Sequence, residues 1–212
     1  MEFSGVAVNA SGIYAMTAPK GDIGREIVEH AIRLGIDCAS RLNIPIIHVP
    51  SFRASNIISD SHLEYTAQCL QAACDYAADK NVVVCTGNHL DTERQLREIE
   101  MVNRKNFKIY FDTQNYQLDG GFYTPAMVPM IKDYIVGTHV KDGDYAVGSC
   151  LVGRGSCNVF KTMEILFELG FKGWIVLENY YVRAPLYTCG ADPFALMKQD
   201  VTIVKNWLAE NL

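Results

Sequence analysis

The chain has no CxxC pair, no GxGxxG after its first apolar run, and no excess of basic residues. Nor does any stretch reach the ~18 consecutive apolar residues that suggest a membrane span. Each absence excludes a class of function. Without CxxC, the seven cysteines (Cys38, Cys69, Cys74, Cys85, Cys150, Cys157, Cys189) are odd in number and scattered. Such usage fits a reducing cytoplasm better than a disulfide framework. Without the glycine fingerprint, a dinucleotide site on an open sheet loses support. Lys and Arg number 19 against 24 Asp and Glu, a net charge of -5. Gripping phosphate backbones is therefore not the expected task, and no nucleic-acid partner is expected. The start, MEFSGVAVNASGIY, lacks the basic and apolar regions of a signal peptide. No linker or low-complexity segment interrupts the 212 residues, so one domain, 1–212, is expected.

What is present is alternation. Short, nearly continuous apolar runs lie at Ser4–Asn9, Ile44–Pro50, Asn81–Thr86, Phe107–Thr113, Ile135–Val140 and Gly173–Asn179. Such runs suit strands buried on both faces. Helical patterns fall between them. Asp22–Leu42 places Ile23, Ile27, Ala31, Leu34 and Cys38 on one face, and Asp60–Asp79 does the same with Leu63, Ala67, Leu70, Cys74 and Ala77. Thr92–Val102, with Thr92 as N-cap, Pro125–Asp133 and Val159–Leu169 follow. Asp192–Leu212 closes the chain, capped by Asp192 with Pro193 at the first helical position. A βα unit repeated along the chain predicts a parallel sheet covered by helices. An open doubly wound sheet and a (β/α) barrel both satisfy that pattern.

Polar residues at strand ends favour the barrel, whose chemistry sits on the C-terminal rim. The runs deliver Asp112 after IYF, His139 after IVGT and Glu178 after WIVL. One imidazole and two carboxylates suit a hard or borderline divalent ion. A fourth run, VVVCTG, reaches the equivalent place with Gly87, which has no side chain to offer.

With the segments FDTQN (111–115), THVKDG (138–143), GRGSCN (153–158) and LGFKGWIVLEN (169–179), the chain resembles the xylose isomerase-like barrel family. That group includes sugar-phosphate isomerases and epimerases, ketose 3-epimerases, dehydratases and apurinic endonucleases. The resemblance implies a TIM-type (β/α) barrel truncated to about six βα units, the first two having no counterpart before Met1. It implies one divalent metal (Mn, Mg, Zn or Co) held by Asp112, His139 and Glu178, with the remaining carboxylate ligand replaced by Gly87. It implies a sugar or sugar phosphate as substrate, and Glu178 as the base that moves a proton beside a carbonyl. Two-base epimerisation would lack one base, so a lyase or dehydratase, and a non-catalytic remnant that binds a sugar or a partner, stay open. A homo-oligomer covering the open barrel edge is expected to resolve the exposed strands.

The remaining polar residues carry two readings each. His48, at the end of IIHVP, is a core histidine or a sugar contact. Asn88 and His89 follow Gly87; strand alternation would turn His89 to the same side as position 87. Asn115 is a turn residue or a hydroxyl partner. Lys141 forms a local ion pair with Asp142, pairs with Glu178 as a structural partner, or contacts substrate. Arg183 and Arg154 lie on rim loops, solvated or holding a phosphate. Gly153 and Gly155 are read as turn formers rather than a nucleotide site.

Overall fold

A computed structural model describes residues 2–188 and 190–211. Met1, Cys189 and Leu212, the last residue of the final predicted helix, lie outside the described residues. The chain divides into two compact units, Met1–Tyr110 and Phe111–Leu212.

The first unit carries β1 (Val6–Ala7), α1 (Ile23–Arg41), β2 (Ile46–Pro50), α2 (Asp60–Ala77), β3 (Val83–Gly87), α3 (Thr92–Val102) and β4 (Phe107–Asp112) as far as Tyr110. The strands pair in parallel and in sequence order, with Ala7 opposite His48, His48 opposite Cys85, and Cys85 opposite Lys108. Apolar residues fill both faces, and Ile47, Val49, Val84 and Ile109 are fully buried. Each helix starts on a side-chain cap. Asp22 accepts from Arg25 N–H, Ser59 from His62 N–H and Asp91 from Arg94 N–H. The third of these corrects the sequence reading: Asp91, not Thr92, is the cap, and Thr92 is the first helical residue.

Helix α2 buries the predicted face, with Leu63, Ala67, Leu70, Cys74 and Ala77 all shielded. Helix α1 does not. It carries two apolar stripes, and the structure buries Val28, Ile32, Ile36 and Ala39 while Ile23, Ile27, Leu34 and Cys38 stay exposed. Periodicity finds both stripes; only the close seat of Gly35 against Ile47 and Val8 marks the inner one.

The second unit takes Phe111 and Asp112 from β4, then α4 (Asn115–Leu118), α5 (Thr124–Ile131), β5 (Ile135–Val140), α6 (Val159–Glu168), β6 (Trp174–Leu177) and α7 (Pro193–Asn211). The short α4 has no sequence counterpart; four residues bury too little to leave a period. Strand β5 pairs in parallel with β6, with His139 opposite Val176 and Val140 opposite Leu177. The core joins Val140, Val152, Cys157, Val159, Met163 and Val204, with Phe160 stacked on Trp207 at 5.6 Å. The chain thus makes six βα units along a parallel sheet. Among the described residues, no helix is long and apolar enough to cross a membrane.

Candidate metal centre

Three strand ends of the second unit converge. Asp112 closes β4, His139 lies in β5, and Glu178 directly follows β6. One ligand atom from each lies within 4.8 Å of the others. His139 Nδ1 is 3.7 Å from Asp112 Oδ2 and 3.5 Å from Glu178 Oε2. Asp112 is buried and oriented: its Oδ1 accepts from the N–H groups of Gln114 and Asn115, both at 2.8 Å, which turns Oδ2 towards the cluster. Glu178 is the open member, with 43% of its side chain exposed.

Lys141 occupies the middle of this group. Its ammonium donates to Glu178 Oε2 at 2.8 Å and lies 2.9 Å from Asp112 Oδ2. Of the readings for Lys141, the pair with Glu178 forms and the local pair with Asp142 does not. Beyond the end of β5, Lys141 turns to Asp112 and Glu178, while the Asp142 carboxylate turns to the N–H groups of Gly153 and Gly155. Burial works against the Lys141 charge, but the Asp112 and Glu178 carboxylates outweigh it and hold the ammonium above its ordinary range. Its backbone is clamped as well: Lys141 N–H donates to Thr113 Oγ1, and Thr113 Oγ1–H donates to the Lys141 carbonyl.

Asp142 does a separate job that no sequence motif announced. Its Oδ1 accepts from Gly143 and Cys157 N–H, and its Oδ2 from Gly153 and Gly155 N–H, at 2.8–3.1 Å. One buried carboxylate therefore gathers the GRGSCN turn. A Cβ on Gly155 would strike Asp142 Oδ1 and come within 2.5 Å of Gly143 N. The glycines were the available signal. Asp142 N–H donates in turn to Asn179 Oδ1, and Asn179 Nδ2–H donates to Asp200 Oδ2. Asp200, fully buried on α7, also accepts from Val152 N–H and from the Tyr181 hydroxyl. Burial and the Asp200 carboxylate push the Tyr181 phenol well above its ordinary range, so it remains a donor.

Asn115 is buried at the start of α4 beside Asp112. Arg183 is exposed, its guanidinium 4.9 Å from the Tyr180 ring centre, and Arg154 is exposed. In the first unit His48 lies in β2 with its ring 5.2 Å from that of Tyr110, and its Nε2 fills the space a side chain at Gly87 would need. Asn88 uses both ends of its amide internally, donating to Glu98 Oε2 and accepting from Leu90 N–H. His89 lies beyond the end of β3, so strand alternation does not govern it; its ring is 5.6 Å from Phe52. The six described cysteines are free thiols. Burial pushes Cys69, Cys74 and Cys157 up to about 12, which makes them poor nucleophiles.

Comparison with known proteins gives the same architecture. The profile described as xylose isomerase-like TIM barrel matches residues 2–206. A 2-epi-5-epi-valiolone 7-phosphate 2-epimerase of Actinoplanes sp. is 31% identical over 144 residues, which are 66% of this chain and 52% of that protein. The match thus spans about half the length of that curated relative. The crystal structure of a D-tagatose 3-epimerase-like protein superposes with a TM-score of 0.78 at 18% identity, covering 97% of this chain and 76% of that one. A xylose isomerase-like TIM barrel protein from Mycobacterium smegmatis, in complex with magnesium, superposes with a TM-score of 0.74 at 14% identity, covering 100% of this chain and 74% of the other. With its parallel βα units and a profile match over nearly its whole length, the chain belongs to the xylose isomerase-like TIM barrel family.

Proposed function

We propose that this chain acts as a divalent-metal-dependent sugar or sugar-phosphate isomerase or epimerase, moving a proton next to a carbonyl. The observation that carries the reading is the convergence of Asp112, His139 and Glu178 at successive strand ends. The donor set fits a divalent ion: one imidazole nitrogen and two carboxylate oxygens, with one oxygen of Asp112 already fixed by backbone N–H groups. Asp112, His139 and Glu178 would hold the ion. When bound, such an ion polarises a carbonyl or hydroxyl oxygen of the sugar. The epimerase names of the relatives support a sugar substrate, and the phosphorylated substrate in one of those names keeps sugar phosphates in scope.

The chain's own residues supply the proton chemistry. Glu178 is the carboxylate with access to solvent, and it takes the proton from the carbon beside the carbonyl. Lys141 offsets one of the two carboxylate charges, and Asn115, Lys141 and Arg183 are the sugar contacts proposed in the second unit. His48, Asn88 and His89 are those proposed in the first. Position 87 carries no side chain. That favours a second reading, a lyase or dehydratase, in which one base suffices. The free, scattered cysteines support a cytoplasmic setting. The exposed Ile23, Ile27 and Leu34 along α1, with Leu42 just past its end, support a homo-oligomer, and a stable monomer in light scattering would count against it.

The deciding experiment combines metal content, thermal shift and isotope exchange. Protein prepared without chelator should carry Mn, Co, Zn or Mg. Saturating Mn²⁺ at a hundred times Kd should raise Tm by about 5–10 °C. In D₂O, ketoses or ketose phosphates should take up deuterium at the carbon beside the carbonyl. Loss of water instead of exchange selects the dehydratase. No metal, no shift and no exchange would sink the enzyme reading.

A further inference from the structure

We propose that Lys141 is a resident cation of the candidate metal centre, competing with a divalent ion for Asp112 Oδ2 and Glu178 Oε2. The inference rests on the metal reading above and goes beyond it, because it assigns the lysine control over metal affinity. The Lys141 ammonium lies 2.9 Å from Asp112 Oδ2 and 2.8 Å from Glu178 Oε2, the same atoms that face His139 Nδ1. Its side chain is only 4% exposed and that of Asp112 3%, so solvent screens this contact little, and the contact to the more open Glu178 more.

Charge counting gives the direction. Two carboxylates and one ammonium leave the cluster at -1, which still attracts a cation. A dication added with the lysine in place makes +1. With the lysine withdrawn, the same dication and carboxylates reach zero. Two cations drawing on one pair of oxygens also repel each other strongly where water is scarce. The Thr113 clamp on the Lys141 backbone confines any withdrawal to the side chain, so the strand end need not move. The lysine thus keeps the carboxylates paired in the metal-free protein, where a bare charge on the buried Asp112 would be costly. It sets a threshold that a metal must exceed.

The test measures Mn²⁺ binding calorimetrically to the wild-type protein, to Lys141→Met, which keeps length without charge, and to Lys141→Arg, which keeps charge. Lys141→Met should bind Mn²⁺ at least tenfold tighter than wild type, and should gain more Tm from Mn²⁺. Lys141→Arg should stay near wild type. Equal or weaker binding by Lys141→Met overturns the competition while leaving the metal reading intact. No Mn²⁺ binding by either protein overturns both. Should Lys141→Met fail to fold without metal, acetic anhydride labelling of the wild type decides. Mn²⁺ should raise acetylation of Lys141 several-fold, and unchanged labelling by mass spectrometry overturns the proposal.

Discussion

The backbone N–H of Asp142 donates to Asn179 Oδ1 at 2.9 Å, joining the residues that directly follow Lys141 and Glu178. The bond crosses from the end of β5 to the end of β6, and Asn179 passes it on to Asp200 of α7 through a 2.6 Å hydrogen bond. The bond adds a side-chain tie to the ladder that pairs Val140 with Leu177 and joins Glu178 N–H to the Val140 carbonyl, so the separation of two candidate site residues depends in part on Asn179.

Replacing Asn179 by Leu should expose that dependence. The change leaves Asp142 N–H without its acceptor and takes one donor from Asp200, a loss of about 2–3 kcal/mol for buried groups. Urea denaturation should show the midpoint falling with the slope unchanged. Mn²⁺ affinity should fall too, because the strand end that carries Glu178 loses one of the ties that position it. Tyr181→Phe is the control: it removes a different donor to Asp200, should cost about 1 kcal/mol, and should leave Mn²⁺ affinity within twofold. If Asn179→Leu loses stability but keeps its metal affinity, the bond stabilises the fold without positioning the site.

The parts of this arrangement legible in the sequence are those that repeat with a period. Six strands, their following helices and the polar residues at their ends follow from apolar runs and spacing. Asp112, His139 and Glu178 were visible because each directly follows or ends such a run. Lys141 is legible, and so is its pairing with Glu178 as one of several readings, but its pairing with Asp112 is not. Adjacent opposite charges in Lys141-Asp142 invite a local pair, and only the turn of the backbone sends them to opposite sides. The role of Asp142 left only its glycines as a trace, since its four partners are backbone N–H groups and carry no side-chain signature. Asp200 lies 48 residues beyond Val152, whose N–H it accepts, and no local pattern connects them. Helix α1 misled for a different reason: two apolar stripes share one helix, and a period cannot say which faces inward.

Gly87 and His48 form a steric pair inside the first unit. A Cβ at position 87 would strike His48 Nε2 and approach Cε1 to 3.2 Å. Gly87→Ala should therefore cost about 1–3 kcal/mol by overpacking. In a His48→Ala background the same change should cost less than about 0.5 kcal/mol, a coupling that a double-mutant cycle reads directly. Additive costs would mean that the obstruction is not His48. The pair also bears on attempts to restore a carboxylate: Gly87→Glu alone must first displace the ring, so it should work only when position 48 is reduced as well.

Glu98 on α3 is the buried acid of the first unit, with no exposed surface. Its Oε2 accepts from Asn88 Nδ2–H at 3.1 Å and Gln95 Nε2–H at 2.8 Å, while its Oε1 has no hydrogen-bond partner. Burial pushes the carboxyl up to about 7, although both amides pull the other way. The folded state therefore holds this proton more tightly than the unfolded chain, whose carboxyl ionises near 4.5. The stabilisation is complete below pH 4.5 and is lost as pH rises through 7. It amounts to about 3 kcal/mol at most. Glu98→Gln keeps the shape and cannot ionise. The difference in stability between variant and wild type should therefore move in favour of Gln by about 2–3 kcal/mol from pH 5 to pH 8. Urea titrations of both proteins across that range check it. A difference that stays constant with pH would show that Glu98 does not change its charge on unfolding, and that its carboxyl is held by something other than the burial described.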